Sequence, residues 1–177
     1  MRSTGEVLGL SESFPVAFYK AEEGANSELP AAPEAWENKK VLLSLSDKEN
    51  QKDQVLTIGK TLQNLGFTLV GTQGTADFYN ANGIKCGVVN KIGAGRPDVV
   101  DMIMNKEVCL VINTPKAKRN YAEDRKTIRK VCLKYKVSYI TTLAGALAAV
   151  KGIEAVHNAS NGTGDVKSLQ ELHSMIK

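Results

Sequence analysis

The apolar and polar positions of the chain alternate between two kinds of segment. Short apolar runs that end in polar residues predict buried strands over residues 41–46, 67–71, 85–90, 108–113 and 137–142. Amphipathic segments lie between these runs, and in 52–66 the side chains of Val55, Ile58 and Leu62 share one helical face. Apolar strands that alternate with helices predict a Rossmann-like α/β domain, with a parallel sheet of about five strands and helices on both faces.

The two ends of the chain do not follow this alternation. Residues 11–25 predict one helix, which a proline-containing linker separates from the first strand. After about residue 156 the sequence is typical of a loop followed by a short helix. We therefore expect an N-terminal segment with its linker over 1–38, the α/β domain over 39–156, and a C-terminal tail with a short helix over 157–177.

Composition narrows the classes of protein to which the chain can belong. Its 177 residues are 42% hydrophobic, and 23 Lys and Arg against 19 Asp and Glu give a net charge of +4. This small excess does not indicate nucleic acid as a partner. No apolar run approaches the roughly 20 residues of a membrane span, and the N-terminus lacks the pattern of a signal peptide. We expect a cytoplasmic protein with no membrane partner.

Histidine and cysteine are placed unfavourably for metal binding or nucleophilic catalysis. His157 and His173 lie in the C-terminal tail, outside the predicted domain. Cys86, Cys109 and Cys132 are far apart and lie in apolar surroundings, which is typical of small buried thiols. The sequence therefore predicts no metal site and no Ser-His or Cys-His pair within the domain.

Polar side chains follow the predicted strands at the edge of the sheet where ligands of open parallel sheets bind. They are Ser44, Ser46 and Lys52 after the first strand, Thr72 and Thr75 after the second, Lys91 and Arg96 after the third, Asn113 and Thr114 after the fourth, and Thr141 and Thr142 after the fifth. Hydroxyl groups, an amide and cations suit an anionic ligand. A phosphate group fits them best.

The motif GTQGTA, over 71–76, is the clearest candidate for binding that anion. We expect Gly74 to form a turn after the strand and Thr75 to cap the next helix, so that two threonine hydroxyls and a helix N-terminus face one point. The motif alone is equally consistent with a turn and a cap that bind nothing. In the glycine-rich loop that follows, a functional role is favoured for Lys91 and Arg96 over a place on the solvated surface.

The motifs LLSLSDKE, LVGTQGTA, VNKIGAGRPD, VINTP and YITTLAGA, in this order and spacing, resemble the methylglyoxal-synthase-like domain at the C-terminus of the carbamoyl-phosphate synthase large subunit. The resemblance covers about residues 40–152. The flanks agree with it, since MRSTGEVLG is similar to the end of the preceding ATP-grasp half and SLQELHSMIK to the terminal helix of that subunit. The resemblance implies that the chain is a fragment of a longer one.

This resemblance implies a regulatory domain that binds UMP as an inhibitor or IMP as an activator and has no catalytic residues or cofactor of its own. Matched by motif, the phosphate contacts fall on Lys52, Thr72, Thr75 and Lys91. The contacts to the rest of the nucleotide fall on Ser44, Asn113 and Thr114. The parent enzyme would be a glutamine-hydrolysing ligase of pyrimidine and arginine biosynthesis that uses ATP with Mg or Mn. Its partners would be the remaining domains of the large subunit and the glutamine amidotransferase small subunit.

Two positions depart from the family pattern. Pro115 replaces a threonine that follows the asparagine of the VINTP motif, which removes a hydroxyl and an N–H group. Ile140 replaces an aspartate with which some relatives reach ornithine, although Tyr139 and Thr141 remain. The second departure argues against an ornithine response.

Other functions on the same fold fit the sequence less well. A methylglyoxal-synthase-type lyase acting on dihydroxyacetone phosphate, the main alternative, needs a carboxylate base with assisting histidines. Here Arg96 stands where that enzyme has an aspartate, and the domain has no histidine. An IMP cyclohydrolase would need a lysine- and histidine-bearing segment that GRPDVVDMI replaces. An interaction module without a ligand is disfavoured by the intact phosphate-binding positions.

Overall fold

The computed structural model describes residues 6–30, 40–46, 49–114, 122–159 and 167–175. The helices in these ranges are α1 (Phe14–Gly24), α2 (Lys52–Asn64), α3 (Gln73–Ala81), α4 (Val99–Met104), α5 (Ala122–Tyr135), α6 (Leu143–Asn158) and α7 (Leu169–Ser174). The strands are β1 (Lys40–Leu45), β2 (Thr68–Thr72), β3 (Cys86–Val89), β4 (Val108–Thr114) and β5 (Ser138–Ile140). Within the described part of the chain, no helix is long and apolar enough to cross a membrane.

The five strands form one parallel sheet in the order β3-β2-β1-β4-β5. Because every strand runs in the same direction, all carboxyl ends meet at one edge, and β1 lies at the centre. The chain order reverses beside β1, which is where ligands of open α/β sheets bind. This arrangement confirms the α/β fold predicted from the alternation of apolar runs.

Side chains of the central strands alternate between two apolar cores, one on each face of the sheet. In β1, Leu43 belongs to the core that lies under α1, α2, α3 and α6, whereas Leu42 belongs to the core under α4 and α5. Both side chains are almost completely buried. The helices therefore cover both faces, as the sequence predicts, and leave the carboxyl edge to the loops.

The N-terminal segment packs against the sheet domain. The Tyr19 hydroxyl of α1 donates a hydrogen bond to the Leu29 carbonyl oxygen at 2.8 Å, and Tyr19 and Leu29 are buried in the same core as β1. The Ser138 hydroxyl of β5 donates to the Glu28 carbonyl oxygen at 2.6 Å. Most of the predicted linker, residues 31–39, lies outside the described residues. The division at 38 and 156 stays a prediction.

Helix α6 is longer than the sequence reading suggested. Residues from about 157 onward are typical of a loop, but the helix continues to Asn158 and includes His157. The reason is that Ile153 and Val156 extend the buried face of the helix by another turn. Helix α7 begins after Ser168, whose hydroxyl accepts a hydrogen bond from the Glu171 N–H group, and this agrees with the predicted short C-terminal helix.

Candidate functional site

A cavity of about 270 Å³ opens at the carboxyl edge of the sheet. Most of its polar lining comes from side chains that end or follow three neighbouring strands and from one lysine after the edge strand β3. These are Ser44, Ser46, Thr72, Thr75, Lys91, Asn113 and Thr114. The structure thus brings six of the seven side chains predicted to bind a nucleotide to one cavity. The seventh, Lys52, is the exposed first residue of α2 and is not among the residues that line it.

Thr72 and Thr75 occupy different positions from those predicted for the GTQGTA motif. Helix α3 begins at Gln73, so Thr72 is the residue before the helix, and Gly74 and Thr75 lie within its first turn. The prediction that Gly74 forms a turn and Thr75 caps the helix was therefore wrong. The cause is the early start of the helix, which directs the Thr75 hydroxyl towards β1.

The two threonine hydroxyls nevertheless converge. Their Oγ1 atoms are 3.4 Å apart, and both side chains are buried. The Thr75 Oγ1 accepts a hydrogen bond from the Leu45 backbone N–H at 3.1 Å. Its own proton can then be donated to Thr72 or to a ligand. The first turn of α3 also directs N–H groups without helical acceptors towards this region, and such groups favour anions.

The β4 side of the cavity carries the amide of Asn113 and the hydroxyl group of Thr114. The Asn113 Nδ2 donates a hydrogen bond to the Tyr139 hydroxyl at 3.2 Å, and Asn113 is buried. The Thr114 hydroxyl accepts a hydrogen bond from the Ser46 backbone N–H at 3.3 Å. Burial raises the pKa of Tyr139, while the hydrogen bond from Asn113 opposes that shift. The phenol therefore stays protonated at neutral pH and can donate its proton in turn.

One wall of the cavity is apolar. It is formed by side chains from the strands, from the loop after β3 and from two helices: Leu42, Val111, Ile92, Val99 and Ile128. Leu42, Val99, Val111 and Ile128 are buried in the core under α4 and α5. The cavity thus joins a polar, cationic region to an aliphatic surface, which suits a ligand with an anionic group and a flat apolar body.

The structure adds two cavity residues that the sequence reading missed. Asp124 and Arg125 lie in the first turns of α5 and line the cavity together with Ile128. Asp124 and Ile128 are four residues apart, and Arg125 and Ile128 are three apart, so all three share one helical face. That spacing, in a helix after the central strand β4, was the available signal. The rule that ligands bind beyond the ends of the strands does not by itself include the side chains of that helix.

The glycine-rich loop contributes less than expected. Arg96 forms an ion pair with Asp101 of α4 and is not among the residues that line the cavity. Asp98 is buried and accepts hydrogen bonds from the N–H groups of Val100 and Asp101, so it caps α4. The functional role favoured for Arg96 has no support in this geometry, because its guanidinium group is held by the helix cap. Lys91 does line the cavity.

The remaining candidates have simpler roles. Thr142 caps α6 by accepting a hydrogen bond from the Gly145 N–H, and Thr141 is exposed. Pro115 lies outside the described residues. Cys86, Cys109 and Cys132 are buried, and burial raises the pKa of the Cys109 and Cys132 thiols to about 12. Among the residues that the structure describes, no group of three or more His, Cys, Asp or Glu side chains could hold a metal ion.

Comparison with known proteins assigns the part of the chain that forms most of the cavity to one family. A family model of the MGS-like domain matches residues 54–141, a range that includes Thr72, Thr75, Lys91, Asn113 and Thr114. The chain contains an MGS-like domain. The match runs from α2 to the end of β5, and so it covers four of the five strands and most of the cavity.

Relatives of the MGS-like domain extend the similarity over the whole chain. It is 42% identical over 173 residues to the carbamoyl phosphate synthase large chain of Archaeoglobus fulgidus, 98% of the chain being covered. It is also 41% identical over 156 residues, 88% of the chain, to a protein of Methanopyrus kandleri named carbamoyl phosphate synthase large chain, C-terminal section. A protein of the same name from Aquifex aeolicus is 37% identical over 177 residues, covering 99% of the chain.

The chain spans only part of these proteins. It covers 15% of the Archaeoglobus large chain, 27% of the Methanopyrus C-terminal section and 31% of the Aquifex C-terminal section. The MGS-like chain is thus homologous to carbamoyl phosphate synthase large chains, including two C-terminal sections. The resemblance of the motifs to the C-terminal part of the carbamoyl-phosphate synthase large subunit is confirmed by this homology.

Proposed function

We propose that this MGS-like domain is a regulatory module that binds a nucleotide 5′-phosphate of the UMP or IMP type. The observation that carries the proposal is the convergence of six predicted contact side chains on one cavity at the first turn of α3. The phosphate group would accept hydrogen bonds from Thr72 and Thr75 and be neutralised by Lys91. The ribose and base would extend towards Ser44, Asn113 and the aliphatic wall.

The position of Lys52 decides how much of the phosphate charge this lysine can neutralise in the proposal. Its side chain starts at the N-terminus of α2, outside the lining of the cavity. A phosphate contact from Lys52 would therefore come from a residue outside the lining of the cavity. We assign the principal neutralising charge to Lys91 and treat Lys52 as a secondary contact.

In the same proposal, the domain acts within a carbamoyl phosphate synthase of pyrimidine and arginine biosynthesis. Homology over the whole chain to such large chains supports this context. The partners are the remaining domains of the large chain and the glutamine amidotransferase small subunit, in the cytoplasm. ATP with Mg or Mn is bound by those other domains. The nucleotide regulates by binding two states of the synthase unequally, since a ligand shifts an equilibrium only by its differential affinity.

The proposal is tested by calorimetric titration of the chain with UMP, IMP, ribose 5-phosphate and inorganic phosphate. We expect saturable binding of at least one nucleotide, with ribose 5-phosphate weaker and inorganic phosphate weakest, since each step removes contacts. No heat and no thermal shift with either nucleotide up to millimolar concentration would disprove the nucleotide-binding role.

The lyase alternative deserves a direct assay because Asp124 places one carboxylate at the cavity. A lyase acting on dihydroxyacetone phosphate needs such a base within reach of the proton that it removes. The two histidines of the chain, His157 and His173, are not among the residues that line the cavity, so they could not assist this base. We expect no methylglyoxal from dihydroxyacetone phosphate. Turnover that is lost in Asp124→Asn would establish the lyase instead.

A further inference from the structure

The amide of Asn113 can present either of two groups to the cavity. Its oxygen accepts hydrogen bonds and its nitrogen donates them, and half a turn of the side chain exchanges the two. A ligand that approaches Asn113 therefore meets a donor or an acceptor according to how the amide is turned. Asn113 lines the cavity and is only 5% exposed, so the protein around it determines that orientation.

A hydrogen bond from within the protein holds this amide. The Asn113 Nδ2 atom donates it to the hydroxyl group of Tyr139 at 3.2 Å, and it joins the end of β4 to β5. Tyr139 is not among the residues that line the cavity. Its hydroxyl group therefore acts on a ligand through Asn113 rather than by direct contact.

The hydroxyl group of Tyr139 has a fixed position. Tyr139 pairs with Val111 in the parallel register of β5 and β4, and Asn113 lies two residues after Val111, so the three side chains share one face of the sheet. On that face the Tyr139 ring packs against the apolar core under α4 and α5. Because a packed ring keeps its hydroxyl group in one place, the hydrogen bond restricts the rotation of the Asn113 amide.

A side chain that is already ordered binds a ligand at a smaller entropic cost. Contacts with the ligand must otherwise offset the freedom that a mobile side chain loses on binding. In the proposed function, Asn113 contacts the ribose or base of the nucleotide, whereas the phosphate group lies on Thr72 and Thr75. Ordering Asn113 in advance therefore favours the nucleotide and leaves the phosphate contacts as they are.

We propose that Tyr139 is a positioning residue, whose hydroxyl group holds the amide of Asn113 in the orientation that binds the part of the nucleotide beyond its phosphate. The inference rests on the proposed function. It goes beyond that function by assigning a role in binding to a side chain outside the cavity lining.

The experiment removes the hydroxyl group of Tyr139 alone. Wild-type protein and Tyr139→Phe are titrated with UMP, IMP and inorganic phosphate. We expect Tyr139→Phe to bind the nucleotides about two- to tenfold more weakly, the usual effect of having to order one side chain on binding. The affinity for inorganic phosphate should not change, because Thr72, Thr75 and Lys91 keep their positions.

A double-mutant cycle distinguishes positioning from a general loss of structure. Tyr139→Phe is combined with Asn113→Ala, which removes the amide. Since Tyr139 acts through Asn113, the loss of its hydroxyl group should have little further effect on nucleotide affinity in the Asn113→Ala protein. Equal losses with and without the amide would overturn the proposal.

The motion of the Asn113 amide provides a measurement that needs no substitution of Asn113. NMR relaxation of its side-chain nitrogen gives an order parameter for motion on the picosecond-to-nanosecond timescale. This order parameter should fall in ligand-free Tyr139→Phe. An unchanged value would show that other contacts hold the amide, and the proposal would then be wrong.

Ser138→Ala is the matched control. Ser138 is the neighbouring residue of β5, is buried, and donates a hydrogen bond from its hydroxyl group to the Glu28 carbonyl oxygen at 2.6 Å. Successive residues of a strand face opposite sides of the sheet, so Ser138 faces away from Tyr139. The variant loses a hydrogen bond of the same strand and should keep wild-type nucleotide affinity. A loss as large as that in Tyr139→Phe would mean that any loosening of β5 weakens binding, which contradicts a specific role for Tyr139.

The outcomes separate this inference from the proposed function. If Tyr139→Phe binds UMP and IMP as tightly as the wild type does, the positioning role is wrong while nucleotide binding stands. If Tyr139→Phe weakens inorganic phosphate as much as the nucleotides, the substitution disturbs the whole cavity and the positioning role is likewise overturned. If the wild-type protein binds neither nucleotide, both proposals fail.

Discussion

The hydroxyl group of Thr75 in α3 accepts a hydrogen bond at 3.1 Å from the backbone N–H of Leu45, the last residue of β1. Both residues are buried, with Thr75 only 1% exposed. The contact joins the central strand to the helix turn that lines the cavity. Thr75 is therefore a structural residue as well as a candidate phosphate contact, and substitutions there affect stability and binding together.

Replacing Thr75 by valine should lower the free energy of unfolding by about 1–3 kcal/mol, the usual cost of leaving a buried N–H group without its partner. Valine keeps the shape of threonine, so little of the loss should come from packing. Urea unfolding of Thr75→Val measures it. Thr75→Ser is the control, because it keeps the hydroxyl and should retain phosphate binding. Unchanged stability in Thr75→Val would show that the Leu45 N–H finds another acceptor.

Replacing Lys91 by alanine should weaken nucleotide binding without weakening the fold. A hydrogen bond to a charged group contributes about 1.5–3 kcal/mol, so we expect a loss of roughly ten- to a hundredfold in affinity. Lys91 is exposed, so the free energy of unfolding should change by less than about 0.5 kcal/mol. Calorimetry and urea unfolding measure the two quantities.

Lys85→Ala provides the control for Lys91→Ala. Lys85 is also exposed, and it precedes β3 where Lys91 follows it, so it lies at the opposite end of the same strand. The Lys85→Ala variant should bind nucleotide with wild-type affinity. Equal losses in both variants would point to a general effect of net charge, and Lys91 would then have no specific role.

Replacing Gly152 by alanine tests how α1 is held on α6. A Cβ atom at Gly152 would lie 2.9 Å from the Pro15 carbonyl oxygen and 3.3 Å from the Tyr19 Cβ, so α1 must shift. We expect a loss of about 1–3 kcal/mol in stability, against the gain of roughly 1 kcal/mol that alanine brings to an isolated helix. Tryptic cleavage at Lys20 should also be faster. Lys151→Ala, a neighbouring exposed position, should change neither quantity; a more stable Gly152→Ala would show that α1 does not pack there.

Much of the fold could be predicted because burial leaves a regular trace in the sequence. Each of the five strands is an apolar run, and the buried face of α2 follows the spacing of Val55, Ile58 and Leu62. These signals are local, so they do not depend on which elements meet. The packing of α1 on α6 could not be predicted, since a small residue such as Gly152 gives no sign of the helix that lies against it.

The candidate site could be predicted in part for the same reason. Residues at strand ends, such as Thr72 and Asn113, are brought together by any parallel sheet. Arg125 was missed because its place in the cavity depends on the angle at which α5 crosses the sheet. The ion pair of Arg96 with Asp101, away from the cavity lining, could not be predicted because it arises from the path of the loop, which sequence spacing does not reveal.

The buried cysteines predict that the protein loses stability in alkali. Burial raises the pKa of Cys86 to about 11 and the pKa values of Cys109 and Cys132 to about 12, whereas a thiol in an unfolded chain titrates near 8.5. Between these values the folded state holds thiol protons that the unfolded state has released. The free energy of unfolding therefore falls as pH rises above about 8.5, and the contribution is fully present below that pH.

Urea unfolding at pH 7, 8.5 and 10 measures this decline, and Cys132→Ala isolates one thiol. The variant loses packing at every pH, so its stability at neutral pH is not informative. The pH dependence of its stability is informative. One thiol whose pKa is raised by folding lowers the free energy of unfolding by up to about 1.4 kcal/mol for each pH unit above the pKa of that thiol in the unfolded chain. We expect a shallower decline in Cys132→Ala than in the wild type. Parallel declines would mean that the Cys132 thiol titrates alike in the folded and unfolded states, which its complete burial on the inner face of α5 argues against.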